Sequence, residues 1–445
     1  MKSSRILSIA LLPALGVCSL AAGQSAAPVS SAQRSLTIPI GPAEPGAKAP
    51  AVECVAACGT AIPLSAAAFS PDNKTLAVGA YKEVLLWDLV EGKLAKRIGA
   101  GQIGTMVRSV LFSKDGKTLA AAEGTPYGSG AVRIFDLQTG QPTLNFQEPK
   151  GAVCCLALSP DGKLLVGGCG DAAAYVWSLE EKKLVTTLKG HSLSVVSVSF
   201  SADGKFLATA SLDKTVRTWD TTAWDPGRNK TTLEAPVRRC FIRSARGKST
   251  SDRSFQFALA VGGHDSRTVQ VRLDDSAPAW ARRDVKTELD GGMPLDCLWI
   301  KNPSPAKGVA AKVYVASSDM TVKVFAETGK TLDLTATLGG HSDWVYAVAA
   351  STDEKTLASA SGDGSVKLWN TADDSLLATL VQLAPGKDEW LIVAGQGYFA
   401  TSTPGAVRWK TSDAKPAAEK LAALQNPEMV RQVLAGKKVP TPALP

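Results

Sequence analysis

The chain has 445 residues, with 39 glycines, 25 prolines, 20% charged and 45% hydrophobic residues, and a formal net charge of +8 at pH 7. A hydrophobic fraction of this size excludes an intrinsically disordered chain, and the many glycines and prolines favour short strands joined by tight turns. Beyond the N-terminal segment, no apolar run reaches the ~18 residues of a membrane-spanning helix. The moderate positive charge does not identify a partner.

The N-terminal segment, residues 1–23, has the pattern of a signal peptide. Lys2 and Arg5 form a positive start, residues 6–20 are apolar, and small residues at 21–23 provide a cleavage site. We therefore expect an exported mature chain, periplasmic or extracellular, with no transmembrane segment after cleavage. The alternative is a lipoprotein signal that anchors the chain through Cys18.

From about residue 51, short alternating apolar runs recur with turn signals between them. Five turns share the pattern Ser-x-Asp-x-Lys and begin at Ser70, Ser113, Ser159, Ser201 and Ser351. Alternation with a period of two around such turns predicts antiparallel hairpins. Aromatic residues end the third run of each unit, at Trp87, Phe135, Trp177, Trp219, Phe325 and Trp369, in steps of 48, 42, 42, 106 and 44 residues. The long step contains one degenerate unit, with residues 269–275 as its third strand, so the sequence predicts seven repeats.

Two repeats contain the same polar constellation, which is a His followed by a Ser 20 residues later, an Asp 22 later and a Trp 28 later. The residues are His191, Ser211, Asp213 and Trp219 in one repeat, and His341, Ser361, Asp363 and Trp369 in the other. With its Gly-His opening and Trp-Asp end, the unit resembles the WD40 repeat, and the chain resembles WD40 β-propeller proteins of an exported bacterial type. The resemblance implies that each set forms a hydrogen-bonded tetrad inside one blade, because a buried His needs polar partners.

The resemblance implies an all-β fold, a seven-bladed β-propeller of four-stranded antiparallel blades in residues 51–385. Residues 24–50, rich in Ala, Ser and Pro, are predicted to be a linker. Residues 386–411 hold two apolar runs around a Gly-Gln-Gly turn, and we expect this hairpin to close the ring, because an open last blade would expose a sheet edge. The alternative is an eighth blade made from this hairpin and residues 51–64.

Residues 412–445 are predicted to form a short C-terminal helical tail. Asn426 is a favourable N-cap for its second helix, Pro427 suits the first helical position, and Gly436 provides a stop. The apolar stripe of this helix is short, so we expect it to pack on the propeller.

The fifth repeat contains a cluster of basic residues. Its members are Arg238, Arg239, Arg243, Arg246, Lys248 and Arg253. Two interpretations stay open, a solvated insertion and a docking face for an anionic partner such as an acidic protein. Nucleic acid is not expected as the partner, because the chain is expected to be exported.

The cysteines and histidines indicate little chemistry. Cys54 and Cys58 are close enough in sequence for a disulfide in an oxidising compartment. Of the three histidines, two belong to the tetrads and only His264 is left, too few for a zinc site. The sequence also lacks phosphate-loop and nucleophile-elbow motifs. We therefore predict no catalytic residue, no metal and no cofactor.

These observations predict a non-catalytic scaffold for protein–protein interactions, with other proteins as partners. The alternative is a periplasmic propeller enzyme or small-ligand-binding protein that uses the central channel, since a fold by itself excludes neither. Convergent carboxylates and arginines around a cavity would favour the alternative.

Overall fold

The structure of the chain, a computed structural model, describes residues 34–39, 52–58, 61–125, 128–224, 226–232, 237–246, 254–261, 268–273, 283–289, 291–301, 311–327, 331–411 and 422–442. Only the backbone is described for the strands within 34–58 and 226–288, for residue 301 and for 408–411. Residues 31–445 form one compact unit. The predicted signal peptide, Cys18 and most of the predicted linker lie outside the described residues.

Strands are numbered in chain order. The first two, β1 (Arg34–Pro39) and β2 (Val52–Cys58), pair antiparallel, and the C-terminal strand β33 (Val407–Thr411) pairs with the other edge of β2. These three strands form a small sheet of their own.

Twenty-four consecutive strands form six four-stranded antiparallel sheets, blades 1 to 6, within the described part of the chain. In each blade we call the strands a, b, c and d in chain order. Blade 1 contains β3 (Ala66–Phe69), β4 (Thr75–Gly79), β5 (Val84–Asp88) and β6 (Lys93–Ile98). Blade 2 contains β7 (Val107–Phe112), β8 (Thr118–Gly124), β9 (Gly130–Asp136) and β10 (Pro142–Phe146). Blade 3 contains β11 (Val153–Leu158), β12 (Leu164–Cys169), β13 (Ala174–Ser178) and β14 (Lys183–Leu188).

The second half of the chain continues the pattern. Blade 4 contains β15 (Val195–Phe200), β16 (Phe206–Ser211), β17 (Thr215–Asp220) and β18 (Pro226–Thr232). Blade 5 contains β19 (Val237–Arg246), β20 (Ser254–Val261), β21 (Thr268–Leu273) and β22 (Arg283–Glu288). Blade 6 contains β23 (Pro294–Lys301), β24 (Ala311–Ser317), β25 (Val322–Glu327) and β26 (Leu332–Leu338). The last propeller sheet contains β27 (Val345–Ala350), β28 (Thr356–Ser361), β29 (Ser365–Asn370), β30 (Leu376–Gln382), β31 (Trp390–Ala394) and β32 (Phe399–Thr401).

The prediction of seven four-stranded blades is wrong, as is the alternative of eight. The described structure has six blades of four strands, and the last repeat forms a six-stranded sheet instead. The cause is the hairpin β31–β32. It pairs with the outer edge of β30, with Ala394 opposite Ala378 and Trp390 opposite Gln382. β2, which the eight-blade alternative required for its extra blade, pairs with β1 and β33.

The burial pattern explains why the middle strands are nearly continuous apolar runs. In blade 3, β12 and β13 are almost wholly buried, because neighbouring blades cover both faces of each sheet. The outer strand β14 alternates between exposed and covered positions, as expected for a strand at the edge of a blade.

The ring closes through side-chain packing between blade 1 and the six-stranded sheet. The a strands β27 and β3 contact each other, and one apolar core contains Leu76 and Trp87 of blade 1 together with Leu380 and Ile392. Helix α1 (Pro427–Leu434) adds Val430 and Val433 to the same core. The ring therefore closes through the packing of these side chains and α1, and the two sheets share no described strand.

Two details fix the position of α1 against this junction. The Asn426 side chain accepts a hydrogen bond from the Met429 backbone N–H at 3.1 Å, so it caps the helix. The Arg431 guanidinium donates to the Glu91 carbonyl in the c–d turn of blade 1 at 3.3 Å.

Candidate functional site

The polar constellation of blade 4 forms a buried hydrogen-bonded cluster, the blade 4 clamp. His191 lies in the loop before strand a, and Asp213 lies in the turn between strands b and c. His191 Nδ1 is 2.9 Å from Asp213 Oδ2, and His191 Nε2 is 2.8 Å from Thr209 Oγ1. The indole N–H of Trp219 donates to the same Thr209 oxygen at 2.9 Å. The chain of contacts thus runs from the loop, through the imidazole, to the core aromatic residue.

The six-stranded sheet repeats this geometry as a second clamp. His341 Nδ1 is 3.1 Å from Asp363 Oδ2, and His341 Nε2 is 2.9 Å from Ser359 Oγ. The Trp369 indole N–H donates to Ser359 Oγ at 2.9 Å. Two clamps with the same geometry in different sheets show that the repeat itself produces the arrangement.

Ser211 and Ser361, which the sequence placed in the tetrads, make other hydrogen bonds than the resemblance implies. Ser211 Oγ donates to the Leu193 carbonyl at 2.8 Å and accepts from the Asp213 backbone N–H at 3.1 Å. Ser361 makes the equivalent bonds to Asp343 and Asp363. These serines therefore hold the backbone of the loop and the turn, and do not contact the imidazoles directly.

Sequence reasoning missed the hydroxyls that do contact the imidazoles, Thr209 and Ser359. Each lies two residues before the named serine in strand b, 18 residues after its histidine. That shared spacing of a hydroxyl residue in both repeats was the available signal. This signal carried little weight, because strand b of each repeat contains more than one Ser or Thr.

Burial determines the protonation of the clamps. Desolvation lowers the pKa of both His191 and His341 below the usual value, although the aspartates act in the opposite direction. Desolvation opposes ionisation of Asp213, yet hydrogen bonds from Thr215, Ser192 and His191 lower its pKa to about 2. A neutral imidazole then donates from Nδ1 to the carboxylate and accepts at Nε2 from the hydroxyl.

Neither imidazole is accessible to a substrate. The side chain of His191 is 2% exposed and that of His341 is 0% exposed, and each ring nitrogen already has a partner. A general base must come within hydrogen-bond reach of the proton it abstracts, and these rings cannot. The clamps act by tying the loop before strand a to the b–c turn of the same blade.

Blades 3 and 6 lack the histidine and satisfy the aspartate from strand c instead. In blade 3 the Tyr175 hydroxyl donates to Asp171 Oδ2 at 2.6 Å, and burial raises the pKa of this phenol. In blade 6 Lys323 Nζ lies 3.1 Å from Asp319 Oδ2. Both partners follow the aspartate by four residues, so strand c supplies a substitute at the same position of the repeat.

The other residues predicted from the sequence lie where side chains are not described. Arg238, Arg239, Arg243 and Arg246 belong to β19, and Lys248 and Arg253 lie outside the described residues. Cys54 and Cys58 belong to β2, opposite Ile38 and Arg34 of β1. Both interpretations of the basic cluster and the disulfide stay predictions.

The described residues contain no group of three or more His, Cys, Asp or Glu side chains that could hold a metal ion. They also contain no helix long and apolar enough to cross a membrane.

The fold and the clamps define a class of protein, a β-propeller built from WD-type repeats. Three segments, residues 140–178, 182–220 and 332–370, match the family profile "WD domain, G-beta repeat". Each segment begins near strand d of one blade and ends with strand c of the next. These three segments are WD40 repeats, which confirms the WD40 part of the resemblance.

Similar proteins match this chain over part of their length. "Periodic tryptophan protein 2" of Arabidopsis thaliana is 30% identical over 257 residues, which are 56% of this chain and 25% of that protein. "Protein groucho" of Drosophila melanogaster is 30% identical over 160 residues, or 35% of this chain and 21% of that one. "WD repeat-containing protein SL1-17" of Schistosoma mansoni is 36% identical over 138 residues, or 31% and 44%. The chain thus spans less than half the length of each of these relatives.

A solved structure supports the fold. A chain in "Crystal Structure of Mitotic Checkpoint Complex" superposes with a TM-score of 0.56 at 19% identity, covering 84% of this chain and 98% of that chain. At this identity the likeness shows the fold alone. The three named relatives come from eukaryotes, so they do not support the bacterial exported type expected from the sequence.

Proposed function

We propose that this chain is a non-catalytic scaffold whose partners are other proteins. The observation that carries the proposal is the complete use of His191 and His341 in buried clamps. A clamp restrains two loops at the same end of its blade, because the start of strand a lies opposite the end of strand b, as in Val195 opposite Ser211. Rigid loops lose little conformational entropy on binding, which favours a docking surface.

The same blade ends carry exposed apolar side chains. We use the name loop rim for the loops before strand a and the b–c turns. Tyr81 and Met320 lie in b–c turns of blades 1 and 6, and Leu193 lies in the loop before strand a of blade 4. They are 49%, 44% and 49% exposed. Leu193 lies in the loop that the blade 4 clamp holds, and an exposed apolar side chain on a restrained loop is typical of protein-binding surfaces.

The experiment compares the loop rim with the outer strands. The triple variant Tyr81→Asp, Leu193→Asp and Met320→Asp removes the apolar residues of the rim. The matched control Val185→Asp and Leu334→Asp changes strand d residues that are 43% and 49% exposed. Partners captured by the native chain, and mapped by cross-linking to the rim, should be lost from the triple variant and kept by the control. Equal capture of partners by the triple variant and the control would refute the loop rim as the docking surface. Turnover of a small substrate would refute the non-catalytic role.

The proposal includes export to the periplasm or the outside of the cell, with an anchor through Cys18 as the alternative. It is supported by the charged start, the apolar core and the small residues of the first 23 positions. N-terminal sequencing of the protein from the native cells tests it. Cleavage before Gln24 supports export of the unanchored chain, a lipid-modified N-terminus at Cys18 supports the anchor, and an intact Met1 would contradict both.

A further inference from the structure

The loop before β27 and the start of β27 carry three partly exposed side chains that the clamp of this sheet does not use. Asp343 and Trp344 lie in the loop, and Tyr346 lies in β27. The pairing of β27 with β28 shifts between Val345 and Ala347, so Tyr346 is the extra residue of a β-bulge, which re-aims its side chain. The centre of its ring lies 6.2 Å from that of Trp344, with the two planes 51° apart.

Asp343 places a carboxylate beside these rings. A Cβ atom built on Gly362 would lie 2.8 Å from Asp343 Oδ2 and 3.1 Å from Tyr346 Cε2, so the carboxylate and the edge of the phenol ring approach the same point above this glycine. Burial raises the pKa of the Tyr346 phenol, and the charge of Asp343 raises it further. The other carboxylate oxygen, Oδ1, accepts the Trp344 backbone N–H at 2.7 Å, which holds the carboxylate in place.

Two acceptor atoms of this group are open to a ligand. Asp343 Oδ2 and Tyr346 Oη have no hydrogen-bond or ion-pair partner in the part of the chain that the structure describes. Neither atom is one of the buried polar atoms that lack a partner there, so both reach solvent. An unpaired negative charge therefore lies beside two aromatic rings, whose faces also carry negative potential. Both kinds of group attract a cation.

The clamp and two further hydrogen bonds hold the segments that carry this group. Ser361 Oγ donates to the Asp343 carbonyl at 3.0 Å, and the Gly362 N–H donates to the Trp344 carbonyl at 2.9 Å. The loop and the turn after β28 are thus tied together on both sides of the acidic and aromatic side chains. A restrained frame of this kind loses little conformational entropy when a ligand binds.

Blade 4 shows that the frame does not require these side chains. Its loop and turn make the equivalent hydrogen bonds, from Ser211 Oγ to the Leu193 carbonyl and from the Leu212 N–H to the Ser194 carbonyl. The equivalents of Asp343, Trp344, Tyr346 and Gly362 are Leu193, Ser194, Val196 and Leu212. The acid, the two rings and the glycine are therefore additions to the repeat that its folding does not explain.

We propose that Asp343, Trp344 and Tyr346 form a rim cation site, which binds the cationic side chain of an arginine or lysine of a protein partner. The guanidinium or ammonium group donates to Asp343 Oδ2 and Tyr346 Oη and lies against the ring of Trp344. The site is part of the loop rim, so the assignment of the cation to a protein rests on the proposed scaffold function. The attraction of the site for a cation does not.

The test is an isothermal titration of the full chain with N-acetyl-arginine methylamide, N-acetyl-lysine methylamide and the neutral isostere N-acetyl-citrulline methylamide. We expect the two cationic probes to bind more tightly than the citrulline probe. Asp343→Asn should weaken arginine binding about tenfold and remove this preference, because a hydrogen bond to a charged group is lost while an oxygen remains for the Trp344 N–H. Trp344→Ser, which introduces the residue of blade 4, should weaken both cationic probes about two- to fivefold.

Asp373→Asn is the matched control. It removes one negative charge from the exposed turn between β29 and β30, at the other end of the same sheet. Thermal melting checks that each variant is folded. Equal affinity of the native chain for the arginine and citrulline probes, or an equal loss of binding in Asp343→Asn and the control, would overturn the site.

Capture of protein partners separates this site from the scaffold function. Partners of the native chain should be lost from Asp343→Asn and kept by Asp373→Asn, and equal capture by both variants would overturn the assignment of the cation to a protein. Partner capture by a native chain that shows no preference for the cationic probes would overturn the site and leave the scaffold function standing. Cation binding by a chain that captures no protein would instead contradict the scaffold function and the protein source of the cation.

Discussion

Lys367 is a buried amine whose removal should stabilise the protein. It lies in strand c of the six-stranded sheet and is 2% exposed. Its Nζ donates to Thr379 Oγ1 at 3.0 Å. The carboxylate whose charge acts on it is Asp363, which is already bound to His341. Desolvation lowers the pKa of Lys367 from 10.5 to about 8, although Asp363 acts in the opposite direction.

The magnitude follows from the difference in pKa between the folded and unfolded chains. At about 1.36 kcal/mol per pH unit, burying the charged amine costs the folded state about 3 kcal/mol below pH 8. Lys367→Met keeps a similar length without the charge, but it leaves the Thr379 hydroxyl without its donor, at a cost of about 1 kcal/mol. We therefore expect a net gain of about 2 kcal/mol in the free energy of unfolding at pH 7.

The stability contribution of Lys367 should change with pH in a defined direction. Between pH 8 and 10.5 the unfolded chain binds more protons at this site than the folded chain, so the contribution of Lys367 to stability rises with pH. The advantage of Lys367→Met should shrink across this window. Urea unfolding at pH 7, 8.5 and 10 measures it, with Lys323→Met as the control, because Lys323 has an ion-pair partner 3.1 Å away. A less stable Lys367→Met protein with no pH dependence would refute the argument.

Four further predictions concern the clamps and the closure of the ring. His341→Ala should lower the free energy of unfolding by about 1–3 kcal/mol, because Asp363 and Ser359 lose a buried partner; an unchanged urea midpoint would show that this clamp carries no stability. Acidification below about pH 6.5 should destabilise the native chain and leave this variant less sensitive, because a histidine with a lowered pKa takes up its proton only on unfolding; parallel stability–pH curves would contradict this. Arg97→Ala should cost about 2–3 kcal/mol, since Arg97 joins buried Glu83 to the Gly386 carbonyl across the closing junction; calorimetry would refute it if melting were unchanged. Val430→Ala should cost about 2 kcal/mol and raise hydrogen exchange in β31 and β6 before other strands, whereas uniform exchange would exclude a role of α1 in closure.

Much of the local structure was predictable because its causes lie close together in the chain. The Ser-x-Asp-x-Lys turns are one example. Ser201 Oγ donates to Asp203 Oδ1 at 2.6 Å and accepts from the Phe206 N–H at 3.0 Å, so the turn forms from its own residues. The contact of His191 with Asp213 was implied by the resemblance to WD40 repeats, and both residues lie at one end of one blade.

The partners of the imidazoles were harder to predict. Ser211 and Thr209 are two residues apart in strand b, so both side chains lie on the same face of the strand. The choice between them depends on how far along the strand the imidazole of the preceding loop reaches. The spacing of residues in the sequence does not contain that position, because the path of the loop sets it.

By itself, the sequence determined the repeats, their turns, their strands and the two His–Asp pairs, because each depends on residues within one repeat. Only the tertiary structure decided the number of four-stranded blades and the way the ring closes. The hairpin at 390–401 can pair with any sheet edge that is free, and β30 had such an edge while β2 was already paired. Which sheet edge is free depends on how the whole chain has folded. The residue pattern within one repeat therefore does not predict it.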